Sequence, residues 1–158
     1  MNFKIVIETN AMEKSALRII VLDDDPFLGK LVHSFLQKTG FTNSILVDDE
    51  SECIRLAESH HNLVILDYDL KTLKGLEVMS QIQANKSNSS FIFFSAQQSP
   101  YVRSQIFAAG ALTYIQKEGS NSFIELGQAL NEYVTNWCEK DHCVSIDLSD
   151  FRSRLNQA

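Results

Sequence analysis

Basic residues are scarce in this chain. Fourteen Lys and Arg stand against 20 Asp and Glu, a net charge of −6, and no cation cluster could neutralise a run of phosphates, which excludes direct nucleic-acid binding as an expectation. Long hydrophobic runs are absent as well: no segment approaches the ~18 to 20 apolar residues of a membrane span, so no membrane insertion is expected. The opening "MNFKIVIETNAMEKSA" has acids where a signal peptide needs a basic start and an uninterrupted apolar core, and the expected location is cytoplasmic. Cysteine is limited to Cys53, Cys138 and Cys143, an odd number without the spacing of a disulfide framework, in keeping with a reducing compartment. Cys138, His142 and Cys143 could supply three zinc ligands, but a fourth is missing, and an ordinary tail is the simpler reading. There is no internal repeat and no low-complexity linker.

What remains is an ordinary globular composition, 44% apolar and 22% charged, in 158 residues, enough for one domain with a real core and too few for two. Five short apolar runs, at 18–22, 44–47, 63–66, 91–94 and 112–116, alternate with stretches of helical period. Asp25 and Pro26 begin the first of these helices, with Phe27, Leu28, Leu31, Val32, Phe35 and Leu36 as its apolar face, and Gly40 ends it. Asp49 and Glu52 have capping-box spacing, and Cys53 in the following turn reads as core and not as a reactive thiol. Gly75, Ser99–Pro100 and Ser122 open three further helices.

This βα alternation predicts an α/β fold, a doubly wound, five-stranded parallel sheet with helices on both faces; the flavodoxin-like order 2-1-3-4-5 is the one expected here, in keeping with the family resemblance given below. The outer segments, 1–17 and 138–158, lie beyond the alternation. "FKIVIE" could add an edge strand or remain a flexible tail, and "SIDLSDFRSRL" could form a short amphipathic helix.

In open parallel sheets the site lies beyond the carboxyl ends of the strands. Strand one runs into Asp23 and Asp24, strand three into Asp67, strand four into Ser95 and strand five into Lys117. Asp48 and Asp49 follow the edge strand and read as helix caps, as does Asp25. Converging carboxylates repel by about 4 kcal/mol per pair at ~4 Å and an effective dielectric of ~20, so the set needs a cation or a proton. Hard oxygen ligands favour Mg2+ over zinc, and magnesium keeps open positions for phosphate oxygens. Asp67 could then attack phosphorus, with Lys117 and Ser95 holding the transferred oxygens.

Over residues 18 to about 134 the chain resembles the receiver domains of two-component response regulators. "IIVLDDDP" is similar to the first strand with paired metal-binding acids, here Asp23 and Asp24, and "LVILDYDLKTLKGLEVM" to the phosphoacceptor segment, with Asp67 as phosphoacceptor and Gly75 at the usual distance. "FIFFSA" matches the strand ending in a hydroxyl, Ser95, and "GALTYIQK" the segment with the lysine, Lys117, and an aromatic switch residue, Tyr114. The resemblance implies a receiver domain over 18–137 that takes a phosphoryl group from a sensor histidine kinase or a His-containing phosphotransfer protein. It also implies magnesium as cofactor, with the backbone carbonyl of Asp69 as a further donor.

It implies, too, a phosphoacceptor that is no enzyme beyond self-catalysed phosphotransfer and autodephosphorylation, and a conformational change read by a downstream target protein. About two dozen residues follow the last helix, too few for a helix-turn-helix output domain, so a stand-alone receiver is expected, with homodimerisation through the termini open. The chain departs from the family pattern at Lys71 and Glu118, where receivers commonly have proline; at Asp69 a carboxylate borders the expected phosphoryl position. These departures leave a phosphorylation-independent interaction module as one alternative. "DYDL" also resembles the D-x-D motif of haloacid-dehalogenase-type phosphatases, but there the nucleophile lies on the first strand and the other metal acids follow, the reverse of the order here.

Overall fold

The structure is a computed structural model that describes residues 9–58 and 62–137. The segments "FKIVIE" and "SIDLSDFRSRL", and the candidate zinc ligands Cys138, His142 and Cys143, lie outside the described residues. The elements run α1 (Thr9–Ala16), β1 (Ile19–Leu22), α2 (Pro26–Lys38), β2 (Ser44–Val47), α3 (Glu50–Ala57), β3 (Leu63–Leu66), α4 (Gly75–Ala84), β4 (Ser90–Ser95), α5 (Pro100–Ala108), β5 (Thr113–Gln116) and α6 (Ser122–Trp137). All strand pairs are parallel and the order is β2-β1-β3-β4-β5, the expected doubly wound sheet.

The two-residue strand period sorts the core into two layers. Ile20, Leu22, Val64, Leu66, Phe91 and Phe93 face Cys53, Ala57, Val78, Met79, Ile82 and Ile106 of α3, α4 and α5. Ile19, Val21, Leu63, Ile65, Ile92 and Phe94 face Val32 and Leu36 of α2 and Leu126, Leu130 and Val134 of α6. β1 and β3 are fully buried, which is why they read as continuous apolar runs, while the four residues of edge strand β2 are only half-buried. Cys53 is core as expected, its thiol pushed up to about 12 by burial with Glu50 adding to it, and so inert as a nucleophile.

The helix starts follow their capping signals. The Asp25 carboxylate accepts from the amides of Phe27 and Leu28, Asp49 from Glu52, and Ser99 from Val102, with Pro26 and Pro100 in the first turns. The reciprocal half of the capping box at Asp49 goes elsewhere, because the Glu52 carboxylate pairs with Arg55 at 2.7 Å. The apolar face read for α2 is too wide: Val32 and Leu36 are buried, but Phe27 is 70% and Leu31 40% exposed. The sheet covers only one stripe of the helix surface, the one that carries Gly29, Val32 and Leu36.

Residues 9–16 are helical, where the sequence suggested only a strand or a tail at this end. Lys14 docks α1 on the end of α2, its Nζ donating to the Thr39 carbonyl at 3.5 Å and lying 5.3 Å from the Phe41 ring centroid. A cation there complements the negative end of the α2 dipole.

Candidate functional site

Parallel pairing in register makes neighbouring strands leave the sheet together. Leu22 is level with Leu66, and Leu66 with Phe93, so the next residues, Asp23 and Asp67, emerge side by side; Ser95 is level with Gln116, which delivers Lys117 to the same edge. The backbone continues the ladder for one more step, with the Asp67 amide on the Leu22 carbonyl at 3.1 Å and the Lys117 amide on the Ser95 carbonyl at 3.0 Å.

The side chains meet there. Lys117 Nζ lies 2.7 Å from Asp23 Oδ2 and 2.9 Å from Asp67 Oδ2, with the side chains 6%, 4% and 10% exposed respectively. Half-buried Asp24 completes a group with Asp23 and Asp67 in which one carboxylate oxygen of each lies within 4.8 Å of the others. Burial pushes the Asp23 carboxyl above its ordinary range, and the contact with Lys117 and the Asp25 amide offset this only in part. Burial works against the Lys117 ammonium too, but there hydrogen bonds to Asp23 and Asp67 prevail and hold it above the ordinary lysine value. With all three acids ionised, one ammonium leaves the pocket with negative charge in excess. An all-oxygen donor set with a half-exposed member fits a small hard divalent cation.

Ser95 is fully buried and its Oγ accepts from the amides of Tyr68 at 3.4 Å and Gln97 at 3.3 Å, tying the residue after Asp67 to the β4–α5 loop. The Tyr114 hydroxyl donates to the Gln97 carbonyl in a short hydrogen bond, and the Arg103 guanidinium lies 4.7 Å from the centroid of its ring. Burial raises the Tyr114 phenol above its ordinary value, so it remains a donor. Tyr114 therefore holds the loop whose other end Ser95 occupies.

Asp69 does not join the acid group. Its carboxylate pairs with Lys74 at 2.6 Å, the two residues form an antiparallel bridge, and the Lys74 ammonium also lies 5.6 Å from the Tyr68 ring centroid. Gly75 follows directly, its amide donating to the Tyr68 carbonyl at 2.7 Å. A Cβ on Gly75 would meet the Asp67 carbonyl oxygen at 2.3 Å and a Phe93 ring carbon at 2.9 Å, so glycine is dictated by close backbone approach. The peptide between Lys117 and Glu118 is trans, as are all others among the described residues. The engagement of this loop by Lys74 and by Glu50 was not legible in the sequence, which singled out neither residue.

A doubly wound parallel sheet gathers three acids and a lysine at its central strand ends, where α/β domains of this kind bind their ligands. The model of the response regulator receiver domain family matches residues 19–131, and the chain belongs to that family. It is 27% identical over 142 residues to the probable C4-dicarboxylate response regulator DctR of Priestia megaterium, covering 87% of this chain and 61% of that protein. The chain thus spans about three fifths of that relative's length, and about half of others. Among solved structures, the CheY-like receiver domain protein of Methanospirillum hungatei superposes with TM-score 0.68 at 20% identity, covering 76% of this chain and 94% of that one. The non-phosphorylated HemR receiver domain of Leptospira biflexa gives 0.67 at 24%, covering 75% and 94%. The fold is that of receivers, and the dehalogenase-type phosphatase reading has no support.

Proposed function

We propose that this protein is a phosphorylation-dependent signalling component of a two-component or phosphorelay system, with Asp67 as phosphoacceptor. The observation that carries it is the Lys117 ammonium set against both Asp23 and Asp67, beside Asp24. In the reaction an oxygen of the Asp67 carboxylate attacks the phosphorus of a phosphohistidine on a sensor kinase or phosphotransfer protein. The new P–O bond forms as the P–N bond breaks, and the departing imidazole keeps the electron pair and takes up a proton. Magnesium, held by Asp23, Asp24, Asp67 and the Asp69 backbone carbonyl, would supply charge neutralisation for the phosphoryl oxygens. On phosphorylation Lys117 would transfer its contact from the carboxylates to a phosphoryl oxygen, and the Ser95 hydroxyl would donate to another in place of accepting from amides.

The acyl phosphate on Asp67 carries roughly −1.5 to −2 units of charge where the carboxylate carried about −1, and it adds phosphoryl oxygens as new acceptors. Drawing Ser95 toward it releases the amides of Tyr68 and Gln97, and the segment that Tyr114 holds repacks into an arrangement a target protein distinguishes. Moving such an equilibrium from mostly off to mostly on takes about 5.5 kcal/mol of differential stabilisation. In this reading residues 18–137 are the signalling unit, in the cytoplasm, and a partner protein reads its surface.

The test is incubation with magnesium and acetyl phosphate followed by intact-mass measurement. Wild type gains one phosphoryl group and Asp67→Asn gains none; equal labelling of both, or none of wild type, refutes the assignment and leaves a phosphorylation-independent interaction module.

A further inference from the structure

Glu50, the first residue of α3, is only 6% exposed although it is an acid. A carboxylate that complements the helix dipole needs no burial, as Glu52 on the same turn shows: it is half-exposed and paired with Arg55 at the surface. Burying one is costly unless specific donors meet it. Here they do: Glu50 Oε1 accepts from the backbone amides of Thr72 at 2.8 Å and Leu73 at 3.3 Å. Burial pushes this carboxyl upward, but those amides, its own amide and nearby Lys71 prevail and hold it below the ordinary range, so it stays an anion.

Thr72 and Leu73 belong to the loop that leaves Asp67 and enters α4, a stretch without proline or glycine before Gly75. Its base is closed by the Asp69–Lys74 bridge and by the Gly75 amide on the Tyr68 carbonyl, while Glu50 grips its tip from a different helix. In so short a closed ring, movement of the tip is transmitted to Tyr68 and Asp69, the residues that follow the phosphoacceptor.

We propose that Glu50 is a positioning residue for the phosphoacceptor segment: its grip on Thr72 and Leu73 sets the backbone of Asp67–Asp69, and so the Asp69 carbonyl, in the geometry that takes a divalent cation. This rests on the function proposed above. The experiment compares Glu50→Ala, Glu50→Gln and Glu50→Asp in the full chain. Two readouts are used: amide hydrogen exchange at Thr72 and Leu73, and the magnesium dependence of labelling by acetyl phosphate.

Gln keeps an Oε1 acceptor at the same reach, whereas Ala has none and Asp is one methylene short. Ala is expected to speed exchange of both amides by about tenfold or more. It should raise the half-saturating magnesium concentration roughly tenfold, with the rate at saturating magnesium within about threefold of wild type. Gln should recover most of both effects. Faster exchange with unchanged magnesium dependence, or Gln no better than Ala, overturns the proposal. Should Ala fail to fold, Gln and Asp decide it: Asp is expected to need more magnesium and Gln not, and equal behaviour of the two overturns it. Failure of wild type to label at all refutes the phosphoacceptor reading instead, and the magnesium affinity of the variants, followed by the Asp69 amide shift, then judges Glu50 separately.

Discussion

Replacing Lys117 by Met removes the ammonium that pairs with the buried Asp23 and Asp67 while keeping much of the side chain's volume. Asp23 and Asp67 would be left 4% and 10% exposed with no ammonium at 2.7 and 2.9 Å. Unpairing a buried ion pair costs about 3–5 kcal/mol, and two carboxylates at ~4 Å repel by about 4 kcal/mol at an effective dielectric of ~20. The molecule has an escape that caps the loss: one acid can take up a proton. At pH 7 that costs about 4 kcal/mol for a group of ordinary pKa ~3.9, and at pH 5 only about 1.5 kcal/mol. Lys117→Met should therefore lose about 3–4 kcal/mol in metal-free urea denaturation at pH 7, and roughly 1.5 at pH 5. Magnesium occupies the charge deficit, so the variant should recover about 2.7 kcal/mol at ~100 times its dissociation constant.

The alkaline limb supplies a second check. Because the Lys117 pKa is raised above the ordinary 10.5, its stabilisation is fully present below that value and is lost as pH rises through the raised one, a limb the variant lacks. Asp23, whose folded pKa lies above the ordinary 3.8, contributes stability when protonated that is lost as pH rises through its raised value. A metal-free loss below about 1 kcal/mol at pH 7, or one that fails to shrink at pH 5, would refute the reasoning that Lys117 is the counter-ion of this pocket.

Three other outcomes follow from particular contacts. Gly75→Ala forces a methyl toward the Asp67 carbonyl oxygen, at 2.3 Å before relaxation, and should cost about 2–3 kcal/mol in denaturation and slow labelling of Asp67. Tyr114→Phe removes the hydroxyl from the Gln97 carbonyl and should cost about 1 kcal/mol, with faster amide exchange confined to 96–99 and unchanged labelling of Asp67. Asp69→Asn breaks an exposed ion pair with Lys74, so its denaturation midpoint should stay close to wild type while the phosphoryl lifetime, read by intact mass over time, changes.

The sequence determined the architecture because each local signal agreed with the next. Apolar runs too continuous for a half-exposed sheet, caps at Asp25, Asp49 and Ser99, and acids placed after the runs all point to a doubly wound parallel sheet, whose register then brings Asp23, Asp67 and Lys117 to one edge. Only the tertiary structure decided how the remaining polar groups are used. Asp69, two residues after Asp67, turns outward to Lys74, and Glu50, an acid at a helix start, turns inward to Thr72 and Leu73. Periodicity assigns a residue to a face of its own element. It carries no information on which loop of another element arrives there, and a carboxylate's partner is set by that arrival.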